Sequence, residues 1–118
     1  IDCSSVQWPT GYSEVYALNF EGNGHTLRNI NTTGYLFEYA KSYSCFHDVD
    51  FEDCNMKGFW NENEKGAVVE DVNFKNCTFT ESVFGYYLDY YAYFDGLEFN
   101  NCSMPCFIKY PFYTCRNI

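Results

Sequence analysis

The chain has 118 residues, of which 47% are hydrophobic and 22% are aromatic. A chain of this length forms one domain, and its aromatic content argues against intrinsic disorder, because disordered segments are poor in aromatic residues. The net charge of −9 argues against a nucleic-acid partner, since the chain repels phosphate groups. No stretch approaches the roughly 20 apolar residues of a transmembrane helix, so we expect no membrane insertion.

Cysteine content and glycosylation sequons indicate the compartment. Seven cysteines in so short a chain are typical of an oxidising environment. Three Asn-X-Ser/Thr sequons begin at Asn31, Asn76 and Asn101. The sequence opens at Ile1 without a signal peptide, as we expect of a processed mature chain. Together these features predict an extracellular, secreted protein.

An internal repeat dominates the rest of the sequence. Blocks of matching residues lie at 45–56, 68–79 and 93–104, spaced 23 and then 25 residues apart, and they align without gaps. Five columns keep their character: Phe46/Val69/Phe94, Val49/Val72/Leu97, Phe51/Phe74/Phe99, Cys54/Cys77/Cys102 and Met56/Phe79/Met104. Repeats of this length are typical of solenoids, in which each copy covers the apolar face of its neighbour.

A degenerate first copy precedes these blocks at residues 25–30. We expect its Leu27 and Ile30 to occupy the positions of Phe46 and Val49. A second apolar register follows each copy and gives four members: Phe37, Trp60, Phe84 and Phe107.

Within a copy the pattern has a period of two residues. Val72 and Phe74 alternate with Asn73 and Lys75, which is typical of a strand with one buried face. The alternation breaks at a residue that tolerates the left-handed conformation of a corner. In the three copies this residue is Asp53, Asn76 and Asn101.

These patterns predict an all-β fold, a right-handed parallel β-helix (β-solenoid) of about four coils with N- and C-terminal capping segments. In this single domain (1–118), residues 19–104 form the coils. Residues 1–18 form an N-terminal cap or assembly segment, and residues 105–118 form a disulfide-clamped C-terminal cap.

Two motifs carry a family resemblance. Residues 19–27, Asn-Phe-Glu-Gly-Asn-Gly-His-Thr-Leu, resemble the opening of the first rung in many right-handed β-helices. Residues 34–37 and 82–86 resemble the Gly-Leu-Phe-Gly strand of the GLUG-type repeats of bacterial surface and adhesin-like proteins. The similarity covers roughly residues 18–110 and implies the solenoid fold, whereas proteins built on such coils differ in function. The cysteine column and the abundance of tyrosine depart from the bacterial pattern and favour a eukaryotic secreted protein.

The cysteines suggest two bridges and a column of stacked thiols. A bridge between Cys106 and Cys115 would clamp the last coil, and Cys3 could tie the N-terminal segment to Cys45. In the Cys54/Cys77/Cys102 column the side chains point the same way, so we expect at least one buried free thiol that packs as a small hydrophobic group. No convergent set of Cys and His ligands appears, so we predict neither a metal nor another cofactor.

Catalytic residues are not recognisable in the sequence. Neither His25 nor His47 lies in a nucleophile motif, and we expect both to be structural. The carboxylate pairs could serve a glycosidase or a Ca²⁺-dependent lyase. A lyase site of this kind would also need an Arg or Lys as base beside the carboxylates, but Arg28 and Arg116 lie near opposite ends of the chain. The carboxylate pairs are Asp48/Asp50, Glu70/Asp71 and Asp95/Glu98. The sequence therefore predicts a non-enzymatic protein.

Aromatic residues give the strongest functional signal. Residues 86–93 contain five tyrosines: Tyr86, Tyr87, Tyr90, Tyr91 and Tyr93. Alternation cannot bury all of them in a coil already filled by Phe, and Tyr is favoured at interfaces. They either coat the outside of the coil or contact a partner.

Three functions are compatible with these features. The leading hypothesis is a secreted structural or adhesive solenoid that associates with itself, as a subunit of an extracellular filament or surface layer, because open solenoid ends invite pairing. The alternative is a carbohydrate-binding module in which the exposed tyrosines stack on glycans. An ice-binding face would need a flat threonine array, and only Thr32, Thr33, Thr78 and Thr80 offer one.

The sequons generate a first prediction. Asn76 and Asn101 occupy the same corner of adjacent coils, about 4.8 Å apart in a regular ladder. Because two branched glycans crowd at that distance, we expect the two sites not to be fully occupied together, and we expect Asn31 to be occupied. Intact mass before and after amidase treatment measures occupancy, and three full glycans would contradict the prediction.

Overall fold

A computed structural model describes residues 1–8, 14–15, 17–63, 65–85, 93–108 and 114–116, and gives the backbone alone for 14, 15, 63 and 114–116. The described residues contain strands and no helix. The strands are β1 (Glu14–Val15), β2 (Asn19–Arg28), β3 (Tyr35–Ala40), β4 (Ser44–Glu52), β5 (Asn55–Met56), β6 (Gly58–Asn63), β7 (Ala67–Lys75), β8 (Thr78–Phe79), β9 (Tyr93–Asn100) and β10 (Thr114–Arg116).

All strand pairs are parallel, and they build three faces of a β-solenoid. The largest face is a five-stranded sheet in the order β10-β9-β7-β4-β2, the second is β1-β3-β6, and the third is β5-β8. Isolated bridges continue the two smaller faces. In the described residues that follow β9, these faces are represented only by the bridges of Ser103 with Thr78 and of Ile108 with Phe84. The solenoid therefore has about three turns rather than the predicted four, since the last coil is only partly built in the described residues.

The predicted inward columns are confirmed in the large sheet. Phe46, Val69 and Phe94 pair in register, as do Val49, Val72 and Leu97. In the third column the Phe74 ring stacks on Phe51 and Phe99 with centroids 5.2 Å apart on each side. Phe74 is fully buried. Stacked apolar columns thus form the core, and each coil covers the one beside it.

The first coil departs from the predicted alignment. Leu27 pairs with Phe51, and Phe20 occupies the position beside Phe46. Ile30 precedes the bridge between Asn31 and Asn55, so it stands in line with the cysteine column. The predicted positions of Leu27 and Ile30 were therefore wrong.

Strand β2 also contains a bulge. Glu21 pairs with His47 and His25 pairs with Val49, so the first coil inserts two extra residues between these pairs. Gly22 lies so close to Asp48 that any Cβ would overlap the Asp48 carbonyl. Only glycine fits this position.

The last coil is displaced by one residue from the predicted register. Ile108, not Phe107, pairs with Phe84. The Phe107 ring nevertheless packs against Phe84 at a centroid distance of 5.4 Å.

The predicted corner is confirmed and contains a ladder of side-chain hydrogen bonds. Asp53, Asn76 and Asn101 have φ of 55°, 54° and 53°, which is the left-handed region. The Asn76 amide donates to Asp53 Oδ1 at 3.1 Å, and the Asn101 amide donates to Asn76 Oδ1 at 2.9 Å. At the first corner the Asn29 amide donates to Asp2 Oδ1 at 3.1 Å. Asn and Asp thus supply both the backbone conformation and a bond between coils.

Substitutions at Asn76 separate these two contributions. Gly keeps the left-handed conformation without strain but removes the ladder bonds, whereas Ala removes the bonds and adds the strain of φ near 54°. We expect unfolding free energies in the order wild type, Asn76→Gly, Asn76→Ala, with Ala about 1 kcal/mol below Gly. Urea unfolding of unglycosylated protein measures this order, and an Ala variant as stable as the Gly variant would contradict it.

Candidate functional site

The predicted tyrosine segment lies mostly outside the described residues. Tyr86, Tyr87, Tyr90 and Tyr91 are not described. Tyr93 is half-buried at the first position of β9, where it pairs with Val68, and its hydroxyl donates to Asp95 Oδ2 at 3.0 Å. The interface or glycan-binding role of this segment therefore stays a prediction.

The three sequon asparagines are exposed at the surface. Asn31 forms a parallel bridge with Asn55 near the N-terminal end of the solenoid. The side chains of Asn76 and Asn101 lie within hydrogen-bonding distance of each other, at 2.9 Å. The geometry behind the predicted crowding of two glycans is therefore present.

The two predicted disulfides are not formed in the structure, in which Cys3, Cys45 and Cys106 are free thiols. Cys3 pairs beside Arg28 at the end of β2, whereas Cys45 lies at the start of β4. The length of β4 separates these positions by about 20 Å, far beyond the Cα range of a disulfide. Cys106 is exposed, and the side chain of Cys115 lies outside the described residues.

The stacked cysteines are free thiols. Cys54 and Cys77 are buried and free, and Cys102 is free and half-buried. Each thiol contacts the carbonyl two residues earlier in its own coil, at 3.2, 3.4 and 3.5 Å. A hydrogen bond with Cys54 and burial raise the pKa of the Cys77 thiol, which keeps it protonated and unreactive.

The ends of the apolar columns remain partly open. Phe74 in the middle is fully buried, but Phe99 at one end and Leu27 at the other are only partly buried. The same holds for further end members of the core: Phe20, Phe37, Met104, Phe107 and Ile108. In the described part of the chain, Phe99 has a column neighbour on one side only, whereas Leu27 has Phe51 on one side and the exposed Ile1 on the other. The two ends are therefore candidate contact surfaces.

The sheet edges at these ends are also incompletely paired. Strand β10 pairs with β9 only over Tyr93–Asp95, so among the described strands none pairs with the outer edge of residues 96–100. At the other end, Asp2 bridges to Arg28, and no described strand pairs with the outer edge of residues 19–25. Unpaired backbone groups of this kind can bind another strand.

The outer face of the large sheet carries charged columns. Glu52 lies between Arg28 and Lys75, with N–O distances of 3.7 and 3.3 Å. In the adjacent column the Asn73 amide donates to Asp50 Oδ1 at 2.7 Å. Neighbouring coils thus alternate charge, or pair an amide with a carboxylate, which limits repulsion between stacked acids.

His47 connects three coils on this face. Its Nδ1 lies 2.9 Å from Glu21, and its Nε2 lies 3.6 Å from Glu70 and 3.9 Å from Asp71. The hydrogen bond to Glu21, and then the surrounding carboxylates, raise the pKa of His47. The sequence predicted only a structural role for this histidine. The gapless alignment could have revealed the cluster, because it places His47, Glu70 and Asp95 in one column.

Comparison with known proteins adds no family assignment. No family model, curated protein or solved structure matches the chain. The parallel β-solenoid is therefore established by the structure alone, and the resemblance to GLUG-type repeats rests on the short motifs quoted above. The described residues contain neither a helix able to span a membrane nor a group of three or more His, Cys, Asp or Glu side chains suited to a metal ion.

The His47 cluster predicts a pH-dependent stability. The pKa of His47 is higher in the folded than in the unfolded protein. The stabilisation that protonated His47 provides is therefore fully present below about pH 6.5 and is lost as the pH rises through the pKa of His47 in the folded protein. We expect His47→Gln to lower the thermal midpoint at pH 6 and to have a smaller effect at pH 8. The contribution is modest, since the ring is 38% exposed.

Thermal unfolding of the wild type and His47→Gln across this range measures the effect. The matched control is His25→Gln. A stability difference between wild type and His47→Gln that stays constant from pH 6 to 8 would show that protonation of His47 does not hold the coils together.

Proposed function

We propose that this protein is a secreted, non-enzymatic structural or adhesive solenoid whose coils associate end to end with those of another copy. The observation that carries the proposal is the contrast along the phenylalanine column. Phe74 is fully buried between two rings, whereas Phe99 at the end of the same column is not. A further coil in register would complete this burial, as each coil does for its neighbour inside the molecule.

The two ends match each other in chemistry. One end carries Phe99 beside the unpaired edge of β9, and the other carries Phe20 and Leu27 beside β2. Since β2 and β9 belong to the same parallel sheet, a second copy stacked head to tail would extend every column in the same direction. Such a contact is heterologous and propagates into a filament.

Two features limit this assembly. The bulge in β2 bends the edge that a partner strand would have to follow, which is a recognised device against uncontrolled pairing. The net charge of −9 also repels a second copy. We therefore expect association to strengthen with salt, which screens repulsion between exposed charges.

The remaining parts of the proposal rest on the sequence. Secretion of the protein is supported by its seven cysteines and three sequons. The tyrosine-rich residues 86–93 provide a further contact surface in the same proposal, because aromatic residues are favoured at interfaces.

Substitution of Phe99 tests the interface. We expect Phe99→Asn to weaken self-association by about 2 kcal/mol, roughly thirtyfold in dissociation constant, because it removes a central ring from the contact. The matched control is Asn100→Ser, at an exposed neighbouring position of the same strand. Light scattering over a range of protein and salt concentrations, with negative-stain microscopy, measures assembly.

Urea unfolding checks that each variant remains folded, and Leu27→Asn at the opposite end provides a second, independent disruption. Wild-type protein that stays monomeric at high concentration and high salt would contradict the proposed function. Equal association by wild type and both end variants would show that the open ends are not the interface.

A further inference from the structure

A polar cleft lies beside the N-terminal segment, away from the charged face of the large sheet. Its volume is about 490 Å³, within the usual range for small-molecule sites. Residues 4–8 form one wall and residues 31–33 form the other. No predicted function uses this cleft.

The second wall is held rigidly by the solenoid. Asn31 pairs with Asn55 across a parallel bridge, and the Thr32 amide donates to the Asn55 carbonyl at 2.9 Å. The Thr32 hydroxyl accepts a bond from the Gly34 amide at 3.2 Å, which fixes the orientation of the side chain. These contacts hold the backbone of this wall and the Thr32 hydroxyl in place before any ligand arrives.

The first wall is attached to the solenoid beside Arg28, at the end of β2. The Cys3 amide donates to the Arg28 carbonyl at 2.8 Å, and the Val6 amide closes a turn onto the Cys3 carbonyl at 3.0 Å. The Ser4 amide is held by Asp2 Oδ1 at 2.9 Å. This turn directs the chain toward Trp8, which packs against the core while lining the cleft.

The chemistry of the lining is neutral. Ser4, Ser5, Gln7, Asn31, Thr32 and Thr33 supply hydroxyl and amide groups, and none of the described side chains that line the cleft is charged. Such groups both donate and accept hydrogen bonds. Trp8 adds the one aromatic ring among the described lining residues. A flat ring beside neutral donors and acceptors suits a ligand with an apolar C–H face and several hydroxyls.

Trp8 has a further feature that points toward a ligand. Its indole N–H is buried and is the only buried side-chain polar atom without a hydrogen-bond partner in the described part of the chain. An unpaired buried N–H is unfavourable. A ligand hydroxyl that reaches the indole N–H would accept this bond.

We propose that this cleft binds a neutral saccharide, with Trp8 against the sugar ring and the surrounding hydroxyls and amides bonded to its hydroxyl groups. Two sources share this chemistry: a free or cell-surface glycan, and a glycan attached to Asn31, whose sequon lines the cleft.

The two tryptophans provide a direct test. Trp60 is fully buried and its indole N–H already donates to the Glu62 carbonyl. In a ¹H–¹⁵N spectrum of unglycosylated protein we expect N,N′-diacetylchitobiose or cellobiose to shift the Trp8 indole signal and leave that of Trp60 unchanged. Saturation at roughly millimolar sugar is expected for a shallow, open cleft.

Two variants identify the cleft as the site. We expect Thr33→Val to weaken binding several-fold, whereas Thr80→Val, at an exposed threonine outside the cleft, leaves it unchanged. Trp8→Ala should abolish saturable binding, as followed by the amide signals of residues 31–33. Equal binding by Thr33→Val and the wild type would place any sugar elsewhere and overturn the proposal.

Glycosylated protein distinguishes the two sources. If the Asn31 glycan fills the cleft, the Trp8 signal of secreted protein will match that of the sugar-saturated form, and added sugar will not move it. If the source is external, the Trp8 signal of secreted protein will still respond to added sugar. The proposal fails if neither added sugar nor the attached glycan shifts the Trp8 indole signal.

Discussion

In-register parallel stacking is the constraint on which the rest of this structure depends. Parallel strands lie about 4.8 Å apart, so each residue lies directly beside its counterpart in the next coil. A side chain suited to one coil must therefore also be compatible with a near copy of itself. The Phe51, Phe74 and Phe99 rings meet this requirement by stacking nearly parallel, at interplanar angles of 13° and 8°. The repeat in the sequence is the consequence of this requirement.

Stacking places a different demand on the polar positions. Identical charges in one column would repel at this spacing, and the outer face avoids this by changing the residue from coil to coil. Glu52 lies between two cationic side chains, and His47 lies among carboxylates. At the corners, Asn76 both donates and accepts, so it bonds to Asp53 on one side and to Asn101 on the other. The acidic composition is thus accommodated without a core of buried charge.

The same constraint relates the fold to its proposed functions. A column ends only where no further coil is added, so the end members Phe99 and Leu27 keep exposed surface that interior members lose. The proposed head-to-tail assembly uses this surface. The cleft beside Trp8 arises differently, because there the chain leaves the repeating path and turns at residues 3–6. The two proposals are tested by different variants, and either can fail without the other.

The sequence by itself determined the parallel β-solenoid, its inward columns and its corners, because 45–56, 68–79 and 93–104 repeat without gaps and stacking preserves such a pattern. It misplaced Leu27, which pairs with Phe51 and not with Phe46, because two apolar residues in a degenerate copy do not fix the register of a strand. It also suggested a bridge between Cys3 and Cys45, because the order of cysteines contains no distances, whereas Cys3 lies beside the end of β2 and Cys45 lies at the start of β4. The alignment already placed His47 and Glu70 in one column, whereas the contacts of His47 with Glu21 and Asp71 were decided by tertiary structure alone, as was the cleft beside Trp8. These contacts and the cleft bring together side chains that are distant in sequence, and only the path of the chain fixes their separation.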